Sequence, residues 1–209
     1  GPLVPSPAMA GLFVTLEGID RSGKTSQARM LVDALGPDAL GVREPGGTTL
    51  GERVRELLKD PAATIGAPAE ALLFAAARAE LVAEVIRPAL DDGRIVVCDR
   101  YVDSSLAYQG LARGLGVEDV ARLNEWATEG LKPDLTILLE LDPDSARRRA
   151  GEDDRFEDEG AALQRAVADA YEQLAAAEPE RWRRVDASRP VEDVHADVLK
   201  LVESARTPA

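Results

Sequence analysis

The run Gly18-Ile-Asp-Arg-Ser-Gly-Lys-Thr25 has the spacing G-x-x-x-x-G-K-[ST], and no other stretch constrains the fold as much. Glycines at both ends of such a loop let successive backbone N–H groups turn inward around phosphate oxygens. A helix starting at its end adds the positive end of its dipole. The lysine of such a P-loop reaches the terminal phosphates, and the hydroxyl after it helps hold Mg²⁺. A strand must precede the loop and a helix must follow. Leu12–Glu17 (LFVTLE) reads as a buried strand, and a helical pattern covers Lys24–Leu35. Gly18, Ile19, Asp20, Arg21, Ser22, Gly23, Lys24 and Thr25 are thus the candidate phosphate-binding residues.

The rest of the chain alternates in the same way. A weaker strand ends near Arg43, helical patterns cover about 50–58 and 68–90, and an Ile-Val-Val strand in 94–98 ends at Asp99. Helical 117–130, an apolar strand at 135–141, a helix opening at 143–149, a loop at 151–160 and a helix at 161–177 follow. A strand at 183–186 and a helix at 191–205 close the pattern. Strands separated by helices of this length predict an α/β fold, a parallel β-sheet with helices on both faces. The length of 209 residues suits one domain. Residues 1–8 carry three prolines and no periodicity; they read as a disordered leader or remnant before Met9, with the domain expected over 9–206.

Composition removes several function classes. Lys and Arg number 25 against 38 Asp and Glu, a net charge of −13, which disfavours a general nucleic-acid binder. No uncharged apolar run approaches the roughly 18–20 residues of a membrane span. One cysteine, Cys98, cannot form an internal disulfide, and the one histidine, His195, cannot build a Cys/His metal cluster. A reducing cytoplasm is the expected compartment, and any catalysis is expected to work without a histidine base.

A phosphate loop alone names no reaction. Three further segments narrow the choice: Arg43-Glu-Pro-Gly-Gly-Thr48, the i,i+4 pair of Phe74 and Arg78 on one helix face, and Asp99-Arg-Tyr-Val-Asp-Ser-Ser-Leu-Ala-Tyr-Gln-Gly110 after the third strand. In this order after the P-loop they resemble the bacterial thymidylate kinase (dTMP kinase) family of P-loop nucleoside monophosphate kinases. The resemblance runs from about Gly11 to Ala205 and includes the turn Asp186-Ala-Ser-Arg-Pro190.

That resemblance implies nucleotide-kinase topology with a short lid at about 147–160, and transfer of the γ-phosphate of ATP to dTMP, with Mg²⁺, giving dTDP and ADP. It implies that the P-loop holds the ATP phosphates and that Thr25 and Asp99 lie by the metal. Asp20 would sit near the acceptor's 3′-hydroxyl and phosphate, and Arg43 and Arg100 would hold that phosphate. Phe74 would stack on thymine, while Arg78, Ser105 and Gln109 address its polar edges. Pro45, Arg55, Tyr101 and Tyr108 would line the same pocket, and Glu44-Pro45 is a candidate cis peptide. A homodimer is implied, with apolar helical stretches such as 69–86 at the interface. The chain departs from many bacterial members in one respect: they have Gly where Arg21 stands and draw the helping arginine from the lid. This chain has both Arg21 and lid-region arginines, including Arg149 and Arg155, and either source would neutralise transition-state charge.

The residues also allow plainer readings. Phe74 suits a core, Asp99 a helix cap, and Ser105 and Gln109 a helix surface. Arg147 to Arg149 suit a solvated helix end, and Cys98 a small core residue. Two competing functions remain open from the sequence, a different nucleoside monophosphate kinase and an NTP-dependent regulatory switch. Phosphoryl transfer itself needs positioning and charge neutralisation more than a strong base, which a chain with one histidine can supply.

Overall fold

The computed structural model describes residues 11–149 and 160–206. Its strands are β1 (Leu12–Glu17), β2 (Ala39–Arg43), β3 (Ile95–Asp99), β4 (Leu135–Glu140) and β5 (Trp182–Asp186). All pair in parallel, in the order β2-β3-β1-β4-β5. Strands β1, β3 and β4 are almost wholly buried, whereas the edge strands β2 and β5 mix buried and exposed positions. This is why the inner strands read as mostly apolar runs and the edge strands as weak ones.

Helices cover both faces, as expected from the pattern. Val14, Leu16, Ile95 and Val97 pack with Leu31 of α1 (Lys24–Leu35), Val167 of α8 (Gly160–Ala177) and Val198 of α9 (Val191–Arg206). The alternate residues Phe13, Val96 and Cys98 pack with Leu81 and Ile86 on the other side. Helix α2 (Thr49–Lys59) starts at an N-cap, where Thr48 Oγ1 accepts from Gly51 N at 2.9 Å. Helix α7 (Pro143–Arg147) has Asp142 as its N-cap, accepting from Ser145 N.

Two features differ from the sequence reading. Helix α3 (Ala67–Leu81) does not run evenly to residue 90; a π-type stretch at Val82–Ile86 joins it to α4 (Arg87–Asp91). The segment before α6 (Val117–Thr128), for which the sequence offers a helix only through the plainer readings of Asp99, Ser105 and Gln109, is helical: α5 (Val102–Ser105) widens into a π-type stretch over Leu106–Ala112. Such widened turns re-aim side chains and often occur at functional sites.

Parallel pairing sets the strand ends level. Asp99 at the end of β3 registers with Leu16 of β1 on one side and Arg43 of β2 on the other. The loops after β1, β2 and β3 therefore open beside one another, at the carboxyl edge where open α/β sheets bind ligands. Leu16 O accepts from Arg100 N and Asp99 O accepts from Glu44 N, each at 3.0 Å, carrying the register one residue into the loops.

Candidate active site

A cleft of about 800 Å³ opens along this edge, at the large end of the range for small-molecule sites. Its centre is the P-loop. Gly18 has φ +144°, and a Cβ there would stand 2.7 Å from Leu139 O and 2.8 Å from Ser22 Oγ, so only glycine fits. Arg21 adopts the left-handed region at φ 60° and Gly23 follows at φ 100°, which turns the loop into α1. Lys24 is buried and donates from Nζ to Ile19 O at 2.6 Å and Ser22 Oγ at 3.3 Å. Burial first, and Arg100 second, hold its ammonium down at about pKa 8, against the opposing pull of Asp99 and Asp20.

Thr25 Oγ1 donates to Asp99 Oδ2 at 2.5 Å, which joins the first turn of α1 to the end of β3. This hydroxyl and carboxylate form an oxygen donor set that suits Mg²⁺, a cation commonly held by one or two protein oxygens together with substrate phosphates and water. No group of three or more His, Cys, Asp or Glu able to cage a metal occurs among the described residues.

Asp20 and Arg100 form an ion pair above the loop. Burial opposes the Asp20 carboxylate, but Arg100 and Lys24 outweigh it and hold its pKa below the usual value. Arg100 has φ 70° and sits in a ring of acceptors: Gly18 O at 3.2 Å, Ser104 Oγ at 3.1 Å, and the phenols of Tyr108 and Tyr171 at 3.4 Å. Its guanidinium also stacks on the Tyr108 ring, 5.1 Å from the centroid. Two residues that sequence reasoning missed complete this arrangement. Gln164 of α8 donates from Nε2 to Asp20 Oδ2 at 2.6 Å and accepts from Asp20 N at 3.1 Å. Glu17, fully buried beneath, accepts from Ser104 Oγ at 2.6 Å, Tyr171 OH at 2.8 Å and Tyr101 N at 2.8 Å. Burial, and then Asp103, push the Glu17 carboxyl up to about pKa 7.

One arm of the cleft is lined by residues of the β2–α2 turn, α2, α3 and the helical stretch after β3. The Glu44-Pro45 peptide is cis, as the resemblance suggested. Arg55 Nη1 donates to Pro45 O at 3.1 Å, and Arg43, half exposed, pairs with Glu52 at 3.0 Å. Phe74, Arg78, Ser105, Tyr108 and Gln109 all line this arm. Arg78 is almost fully buried and its donors are engaged: Nε and Nη2 with Glu44, Nη1 with Ser105 Oγ and Asn124 Oδ1, and Nη2 with Tyr101 O. Ser105 and Gln109 are buried as well, so a helix-surface role does not describe them.

Tyr101 lies elsewhere than expected. Its ring packs edge-on against Phe13 with centroids 4.9 Å apart, its phenol donates to Leu131 O, and it does not line the cleft. Residue 101 follows the strand end, and the turn there sends its side chain into the core while its backbone carbonyl serves Arg78. Ile19 is likewise a core side chain, and its contribution to the site is its carbonyl.

The other arm passes over the P-loop toward the β5–α9 turn, where Ala187, Arg189, Val191 and Val194 line it. Arg149 reaches across it, donating from Nη2 to Ala187 O at 2.6 Å and from Nη1 to Arg21 O and Ser22 O at 3.3 and 3.4 Å. Arg149 is therefore turned inward, while Arg147 and Arg148 are exposed. Arg155 and residues 150–159 of the expected lid lie outside the described residues.

A parallel sheet in this order, a P-loop after β1 and a cleft lined by that loop together define a P-loop nucleotide-binding protein. The thymidylate kinase family model matches residues 16–198. The thymidylate kinase of Symbiobacterium thermophilum is 49% identical over 198 residues, covering 92% of each chain. That of Leifsonia xyli subsp. xyli is 50% identical over 195 residues, 90% of this chain and 92% of its own. A crystal structure of thymidylate kinase from Ehrlichia chaffeensis matches with a TM-score of 0.77 at 30% identity, covering 92% of this chain and 99% of that one. The chain belongs to the thymidylate kinase family.

Proposed function

We propose that the protein transfers the γ-phosphate of ATP to the 5′-phosphate of dTMP, giving dTDP and ADP. One observation carries this reading: a single cleft is lined by the P-loop with Lys24, by Asp99 and Arg100, and by Arg43, Phe74, Arg78, Ser105 and Gln109. ATP fits the arm over the P-loop, with its phosphates on the loop N–H groups and Lys24, and its base toward Val191 and Val194. The acceptor fits the other arm, with its phosphate at Arg100 and Arg43 and its base between Phe74, Arg78, Ser105 and Gln109. An aromatic face with guanidinium and amide groups suits a pyrimidine ring.

In this arrangement the acceptor phosphate is already an oxyanion, so no general base has to create the nucleophile. Arg100, fixed by its ring of acceptors, holds that oxyanion in line. Lys24 leaves Ile19 O and Ser22 Oγ to follow the migrating charge. Arg21, within the loop, and Arg149, whose guanidinium donates to the loop carbonyl of Arg21, neutralise charge on the transferred group. Thr25 and Asp99 would hold Mg²⁺, which would supply charge neutralisation for the phosphates during transfer.

We further read the enzyme as a cytoplasmic homodimer. Leu50 and Leu57 of α2, Leu72 of α3 and Trp126 of α6 are large apolar side chains left exposed, and α3 packs against both α2 and α6. No helix among the described residues is long and apolar enough to cross a membrane, and the thiol of Cys98 is buried and free. Separation of nucleotide products after incubation with ATP, Mg²⁺ and dTMP tests the reaction. Equal amounts of dTDP and ADP are expected, and ADP with free phosphate but no dTDP would contradict it.

A further inference from the structure

Behind the acceptor arm lies an ion pair that the proposed reaction does not use. Glu70, on α3, is fully buried. Arg113, just beyond the π-type stretch, donates to it from Nε at 3.0 Å and from Nη2 at 3.1 Å. Neither residue lines the cleft. The third partner does: Gln109 Nε2 donates to Glu70 Oε1 at 2.8 Å.

A side-chain amide has a donor end and an acceptor end of nearly the same shape, so its surroundings decide which way it points. An ionised carboxylate only accepts. Clamped by a guanidinium that is always protonated, Glu70 can take only the NH₂ end of Gln109. The Gln109 Oε1 accepts nothing from the described residues and is not among the sealed, unpartnered polar atoms. The amide therefore presents a carbonyl oxygen to the cleft.

We infer that Glu70, backed by Arg113, is a positioning residue for base selection: it locks Gln109 so that its Oε1 meets the N3–H of a pyrimidine imide. This rests on the proposed placement of the acceptor base in that arm. Thymine and uracil carry a donor at N3, whereas cytosine carries an acceptor there. Oε1 facing cytosine N3 sets two lone pairs against each other, and a polar group left unpaired in a buried site is costly. Selection between thymine and uracil depends on the methyl group and is independent of Glu70.

Glu70→Gln tests the lock. A glutamine at 70 can accept or donate, which frees Gln109 to present either end. The readout is kcat/KM for dTMP, dUMP and dCMP, with wild type measured alongside. The expected result is a fall of about tenfold or more in the dTMP/dCMP ratio, with the dTMP/dUMP ratio unchanged. The change should lie mainly in the acceptor KM, with ATP KM held. Glu70→Asp, still acceptor-only, should keep most of the dTMP/dCMP preference. Should Glu70→Gln fail to fold because Arg113 loses its partner, the double variant Glu70→Gln/Arg113→Gln removes both charges and carries the same expectation. An unchanged dTMP/dCMP ratio in the folded variant overturns the lock. A wild type that phosphorylates dTMP but does not prefer it over dCMP overturns it too, by removing the selection to be explained. A wild type inactive on every acceptor instead overturns the underlying placement of the acceptor.

Discussion

Arg21 and Arg149 hold each other through their backbones. Arg21 Nη1 donates to Arg149 O, and Arg149 Nη1 donates to Arg21 O, both at 3.3 Å. The two guanidinium groups thus form one clasp across the P-loop. The expected consequence is coupling. Arg21→Ala should lower kcat by about 1,000-fold or more, the scale of a charge-stabilising arginine, while changing the dTMP KM far less. Arg149→Ala should also lower kcat, and the double variant should lose less than the product of the two single losses. Independent, multiplicative losses in kcat would show that the clasp has no catalytic meaning.

Thr25 and Asp99, 2.5 Å apart, make a specific demand on the metal. Asp99→Asn keeps the shape and removes the charge. The variant should need several-fold more Mg²⁺ for half-maximal rate, with a smaller shift for Thr25→Ala. Rate measured against Mg²⁺ concentration checks this, and an unmoved midpoint in Asp99→Asn would remove that residue from the metal site.

Glu17 gives the fold a pH dependence. Its carboxyl titrates near 7 in the folded protein against 4.5 as the ordinary value. Between those limits the folded chain binds more protons than the unfolded one, so stability falls as pH rises. The Glu17 contribution is fully present below about pH 4.5 and is lost as pH passes 7. Compared with wild type, Glu17→Gln should show a flatter decline of Tm between about pH 5 and pH 8. Parallel Tm curves for the two proteins would refute the assignment.

Arg78 and Glu44 form a buried ion pair. Arg78→Met leaves the Glu44 carboxylate buried and unpaired, which should cost about 3–5 kcal/mol of unfolding free energy. Adding Glu44→Gln should recover much of that loss. Denaturant titration of wild type and the two variants measures it; a single Arg78→Met variant as stable as wild type would contradict the burial of the pair.

Leu57 and Leu72 are about half exposed and Trp126 is 83% exposed. If they meet a second copy, Leu72→Glu should shift sedimentation from dimer to monomer at micromolar concentration. A wild-type chain that sediments as a monomer would count against the assembly.

The parts of this site that lie in one contiguous stretch could be read from the sequence. The P-loop follows β1, and Arg43 and Asp99 end β2 and β3, so their meeting at one edge follows from parallel pairing. What escaped was set by packing across long separations. Gln164 reaches Asp20 over 144 positions, and nothing in its helix distinguishes it from a solvated polar residue. Glu17 does carry a signal, a carboxylate ending a buried strand, but its partners come from two other segments. Tyr101 went astray because proximity to Arg100 in the chain says little about direction after a turn. Ala187 in the β5–α9 turn and Val191 at the start of α9 line the cleft with small apolar side chains that no motif marks.

The most direct test of phosphotransfer to a thymine nucleotide is ADP release with ATP and Mg²⁺ across dTMP, dUMP, UMP, dCMP, GMP and thymidine. A wild-type enzyme nearly silent without acceptor and strongly stimulated by dTMP, with much weaker responses to the others, is the expected result. Steady ATP hydrolysis that no acceptor stimulates would contradict the kinase reading and favour a nucleotide-dependent switch.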